Sequence, residues 1–105
     1  MAAIESIKAG IPGTMSYEEA KEIFVDTGYL DYHYSGLDHG VGLFVHERPF
    51  MGPVSKDVLE KNGVVTVEPG IYIPNWGGVR IEDMVLIKEN GYEILTDAPR
   101  ELLII

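Results

Sequence analysis

The chain has 105 residues, 46% of them hydrophobic, and a formal charge of -9 from 8 Lys and Arg against 17 Asp and Glu. That length supports one hydrophobic core and not two, so residues 1–105 are expected to form a single domain. The acidity disfavours nucleic acid and anionic membrane surfaces, which reward clustered Lys and Arg, and the lack of cysteine leaves only His and carboxylates as metal ligands.

The first eight residues lack a basic start followed by an apolar run, so no signal peptide is read. The longest apolar runs, Met84 to Ile87 and Leu102 to Ile105, fall far short of the roughly 20 residues of a spanning helix. A soluble, cytoplasmic protein is expected.

A short helix is predicted over residues 2–9, with Ile4 and Ile7 on one face and Gly10 as its stop. Ser16 and Glu19 form a capping-box pattern that predicts a second helix over about 17–27, ended by Gly28. Tyr17, Ala20 and Phe24 recur at helical spacing, which predicts a core face. Beyond residue 29 the texture changes to glycines and β-branched residues. Residues 64–74 and 78–88 are predicted strands joined at Asn75, Trp76 and Gly77, and Asn90-Gly91 predicts a type I′ hairpin turn. The expected class is α+β, two N-terminal helices followed by an antiparallel sheet.

If the chain turns at 75–77, paired residues have numbers summing to about 151 or 152, and Glu68 with Glu82 sums to 150. The two carboxylates should then lie nearly opposite, where like charges destabilise a sheet. Two readings follow. Both groups point to solvent with Arg80, on the strand face of Glu82, as the neutralising partner, or both share a divalent cation. His39 and His46 flank Gly40 and Gly42 in "HGVGLFVHE". An odd separation puts them on opposite faces of a regular strand, so they converge only if the glycines bend the chain.

Taken together, "HGVGLFVHE", "VTVEPGIYIP" and "GGVRIED", in this order, resemble the signature of the pita-bread metallopeptidases, nearest to the Xaa-Pro dipeptidase (prolidase) and aminopeptidase P branch. The "ENGYEILT" hairpin and "PRELLII" ending extend the resemblance over nearly the whole chain. It implies His39 as a metal ligand, Glu68 as a ligand that also handles the proton of the attacking water, and Glu82 as a bridge between two metals. It implies further that His46 hydrogen-bonds the substrate carbonyl and that Arg80 orients carboxylates or substrate. The implied cofactors are two divalent ions (Mn, Co, Zn or Fe), and the implied substrate is a proline-containing di- or oligopeptide.

The family's two aspartate ligands have no counterpart here: none of Asp26, Asp31, Asp38, Asp57, Asp83 and Asp97 has their sequence setting. The chain therefore resembles the C-terminal half of the catalytic domain, expected to hold one weakly bound ion or none and to be inactive alone. Asp38 stands where the family has a small residue and Ser35 where it often has a histidine, while His33 is out of register. Asp38 reads either as a substitute oxygen ligand or as a tolerated change in an idle copy. An uncovered sheet edge and apolar face predict a homo-oligomer or a docked N-terminal half. The competing expectation is a non-catalytic peptide-binding or metal-binding module of the same fold.

Overall fold

A computed structural model of the chain describes residues 1–36 and 38–105. Helix α1 covers Ala2–Glu5, half the length expected. The shortening has a local cause, because the Ser6 hydroxyl takes the Ala3 carbonyl at 2.8 Å. The following amides are drawn elsewhere: Ala9 donates to the Lys88 carbonyl and Gly10 to that of Leu59. Ile4 and Ile7 nevertheless both enter the core, as their spacing predicts.

Helix α2 runs Gly13–Thr27 and begins earlier than the capping-box pattern predicts. Pro12, with its ring-restricted φ of -70° and an extended ψ, occupies the N-cap, and no side chain caps the helix. Ser16 is buried in the first turns and its hydroxyl lies 3.1 Å from that of Ser6. Gly28 closes the helix in the left-handed region at φ 80°, as expected. Tyr17 and Ala20 are buried, and Phe24, partly covered, packs on the ring of His33. A single 3-10 turn follows at Leu30–Tyr32.

Seven strands follow: β1 Asp38–Gly40, β2 Glu47–Met51, β3 Val64–Val67, β4 Gly70–Ile73, β5 Gly77–Arg80, β6 Asp83–Lys88 and β7 Gly91–Ile94. Five form one antiparallel sheet in the order β2-β1-β3-β6-β7, while β4 and β5 pair as a separate ribbon. Each long predicted strand is thus cut in two, the first at Glu68-Pro69 and the second at Ile81-Glu82. Pro69 has no amide hydrogen to give to a ladder, which explains a break there. Across the cut the register is conserved: Val67 faces Asp83 and Gly70 faces Arg80, both summing to 150.

The two-residue turn between β6 and β7 has Glu89 and Asn90 at its centre, since Lys88 pairs with Gly91. Neither has positive φ, so the expected type I′ turn at Asn90-Gly91 is corrected to a turn one residue earlier and of another type. The helices cover one sheet face, where Ile7, Met51, Leu59, Val65, Val85 and Ile87 are almost fully buried. Each such side chain contributes about 1.5–3 kcal/mol on leaving water.

Asp83 sits at the end of that core, 3% exposed, and accepts from Arg100 Nε at 2.7 Å and the Thr96 hydroxyl at 2.5 Å. Burial alone pushes its carboxyl up, but these bonds and the Arg100 charge outweigh it and hold it below its ordinary 3.8. A depressed carboxyl stabilises the fold above its unfolded value and loses that contribution as pH falls through the folded value. Asp83→Asn is therefore expected to melt below wild type at pH 7. The gap should narrow as pH falls below 3.8, and a pH-independent gap in calorimetry would contradict this.

Candidate functional site

The face of the sheet away from the helices carries the residues singled out above. The β1–β2 register slips between His39 and Gly40, with His39 facing Phe50 and Gly40 facing Glu47. At Gly40 a Cβ would come within 2.3 Å of the Arg48 carbonyl oxygen, a backbone atom of β2, so the two strands approach more closely there than a side chain permits. That irregularity at a glycine meets the condition the spacing set. The rings of His39 and His46 lie 4.3 Å apart, tilted by 56°.

His39 is partly buried and His46 is exposed. His39 Nδ1 lies 2.9 Å from the Gly40 carbonyl, which only accepts, so Nδ1 carries the proton and Nε2 faces outward as the remaining donor atom. Glu68 Oε2 is 3.5 Å from that Nε2, too far for a strong hydrogen bond. The other oxygen, Oε1, lies 3.8 Å from Arg80 Nη1. Arg80 is therefore paired with Glu68, and β5 ends at it, two residues before Glu82.

Glu82 occupies the register position opposite Glu68, since both flanking ladders sum to 150. The two carboxylates differ in surroundings: the Glu68 side chain is 16% exposed, whereas Glu82 is open to solvent. Both line one open cleft of about 490 Å³ with His39, His46 and Arg80. His39, His46 and Glu68 also border a second cleft of about 660 Å³ reaching past Tyr34 and Lys56. The pairing of His39 with Glu68 thus stands where two clefts meet.

Asp38, adjacent to His39, is 7% exposed and borders the second of these clefts. Its Oδ1 accepts the Glu68 amide at 2.7 Å, and Oδ2 has no partner among the described residues. Its carboxyl is pushed up to about 9, chiefly by burial, with the Glu68 amide pulling down and the Glu68 and Glu82 charges adding to the rise. Thr66 Oγ1, a contact the sequence reading did not single out, accepts the His39 amide at 3.2 Å. His33 is engaged by the Tyr17 hydroxyl at 3.0 Å and by the Leu30 carbonyl, and so takes a packing role outside the cleft.

An imidazole and two carboxylates are donors suited to borderline divalent metals. Their closeness falls short of a complete centre: among the described residues no three His, Asp or Glu side chains gather tightly enough to hold an ion. His39 and Glu68 supply a two-donor pair, with Glu82 across from it.

Residues 1–89 match metallopeptidase family M24. The chain is 50% identical to an Xaa-Pro dipeptidase of Pyrococcus furiosus over 101 residues, which cover 96% of this chain and 29% of that protein. It superposes on the crystal structure of an X-Pro aminopeptidase from Thermotoga maritima with a TM-score of 0.94 at 40% identity, over 99% of this chain and 30% of that one. Prolidase from Pyrococcus furiosus is similar with a TM-score of 0.90 at 47% identity, over 94% and 29% of the two chains. The two-helix and antiparallel-sheet architecture is that of the matching stretch of these pita-bread peptidases. The chain spans less than a third of the length of the curated relatives it matches. No helix of the described residues is long and apolar enough to cross a membrane.

Proposed function

The chain belongs to metallopeptidase family M24, and from that premise we propose that it forms part of a peptidase cleaving the amide bond before proline, of the Xaa-Pro dipeptidase or aminopeptidase P type. The observation that carries the reading is the placement of Glu68 opposite Glu82 beside the outward Nε2 of His39. Divalent ions held by His39, Glu68 and Glu82 would polarise the scissile carbonyl and make water nucleophilic near neutral pH. Glu68, flanked by His39 on one oxygen and Arg80 on the other, is suited to accept the proton of the attacking water. His46 stacks against His39 at the cleft mouth, where its exposed ring can donate to the carbonyl oxygen as negative charge develops. Arg80 steadies the Glu68 carboxylate. The substrate is a proline-containing di- or oligopeptide, and the native metal is one of Mn, Co, Zn or Fe.

In this reading residues 1–105 are one domain, the C-terminal half of the catalytic domain, and the ligands still needed come from an N-terminal half or another chain. An apolar groove of about 250 Å³ between α2 and the ribbon, bordered by Ile23, Phe24, Ile71, Val79 and Ile81, supports association with such a partner or with a second copy. The lack of a gathered three-donor group among the described residues favours a second reading, a non-catalytic peptide-binding or metal-binding module.

Hydrolysis of Xaa-Pro dipeptides in the presence of Mn separates the two. The chain alone is expected to release no proline, and adding the polypeptide that supplies the missing ligands should restore cleavage. Failure of the joined halves to cleave any Xaa-Pro peptide, with Mn, Co or Zn, would leave the binding module as the better account.

A further inference from the structure

The antiparallel ladder between β1 and β3 is interrupted beside the candidate metal pair. Gly40 faces Val65, and Val41 donates its amide to the Val64 carbonyl at 3.0 Å. Two residues along each strand, the next rung of the ladder brings His39 to Thr66. There the His39 amide goes to the Thr66 side-chain oxygen at 3.2 Å. Beyond it the amide of Glu68, just past the end of β3, goes to the side-chain oxygen Oδ1 of Asp38, the residue before His39, at 2.7 Å. In both bonds a side chain from the facing strand holds the backbone of a candidate ligand.

We propose that Asp38 and Thr66 form a reciprocal cross-strand clamp, each a positioning residue for the candidate ligand on the other strand: Asp38 for Glu68 and Thr66 for His39. The inference rests on the reading of His39 and Glu68 as metal ligands and goes beyond it by assigning what holds them in place. Both clamp residues are enclosed, Thr66 at 2% and Asp38 at 7% exposure, so water does not compete for either bond. The Asp38 bond is the shorter of the two. Glu68 precedes Pro69, which donates no hydrogen bond, so the Glu68 amide is the last backbone donor before the break. Fixing that amide fixes the direction in which the Glu68 side chain leaves the sheet, toward His39 and Arg80.

The test uses the 105-residue chain, and its first readout needs no metal. Three-bond Hα–Hβ couplings of Glu68 measured by NMR report whether its side chain holds one rotamer. Wild type and Asp38→Asn, which keeps the acceptor oxygen, should show one large and one small coupling, and Asp38→Ala should show averaged values. Mn titration followed by electron paramagnetic resonance should then give a loss of affinity of about tenfold for Asp38→Ala, with recovery in Asp38→Asn. Thr66→Val should have the corresponding effect on the His39 couplings, reversed in Thr66→Ser, and it carries the test if Asp38→Ala does not fold. Unchanged couplings in Asp38→Ala and Thr66→Val would overturn the clamp. Averaged couplings in those variants with no Mn bound even by wild type would uphold the clamp and show that these residues hold no ion without the missing ligands.

Discussion

Glu82→Gln is expected to abolish uptake of divalent metal and at the same time to raise the melting temperature of the metal-free chain. The register places Glu82 directly across from Glu68, and facing carboxylates destabilise a pair of strands. Arg80 lies 3.8 Å from Glu68 and offsets part of that repulsion, and the solvent exposure of Glu82 screens more of it. What remains is worth about 0.5 kcal/mol, or about 2–4 °C for a domain of this size. The gain would come from removing a group proposed above as a metal ligand. Elemental analysis after equilibration with Mn, Co or Zn and a thermal scan in chelator give the two halves of the result. Added metal should raise the melting temperature of wild type and leave that of Glu82→Gln unmoved. A variant that retains metal and melts lower than wild type would mark Glu82 as a structural surface carboxylate.

Gly40→Ala should be among the most damaging single-methyl additions to this chain. A Cβ at Gly40 would lie 2.3 Å from the Arg48 carbonyl oxygen, 2.7 Å from its carbon and 2.9 Å from the Glu47 carbonyl oxygen. All three are backbone atoms of β2, so no rotamer change relieves the overlap, and β2 must move away from β1. Overpacking that displaces backbone costs about 3 kcal/mol, a large share of the 5–15 kcal/mol typical of a whole domain. Urea denaturation measures it, and a midpoint equal to that of wild type would refute the steric account. His39 precedes Gly40 and His46 leads into β2, so the same displacement should separate the two rings now 4.3 Å apart.

How much of this was legible in the sequence depended on the range of the interaction concerned. Local signals of the backbone served well where they stood alone: Gly28 ends α2 in the left-handed region, and Ile4, Ile7, Tyr17 and Ala20 enter the core. They failed where a longer-range bond competed. The capping box at Ser16 and Glu19 is a sound local pattern, yet Pro12 starts the helix earlier and Ser16 turns inward to Ser6. The pairing of Glu68 with Glu82 was readable from simple arithmetic, because hairpin register propagates, but the break at Pro69 was not used although its cause stood in the sequence. The meeting of His39 and His46 depended on how far the glycines bend the loop, which spacing leaves open. Asp38 and Thr66 were out of reach in another way. Their partners lie 30 and 27 residues away on strands whose pairing no local pattern reveals.

The cut in the strands has a mechanical side. The five-stranded sheet ends at Val67 and Asp83, the ribbon begins at Gly70 and Arg80, and Glu68 and Glu82 stand at the crease between them. A swing of the ribbon against the sheet would change the spacing of the two carboxylates more directly than that of any pair within either body. A cation gripped by both would act as a pin through a hinge, tying the orientation of the β4–β5 arm, and the Arg80 it carries, to occupancy of the site.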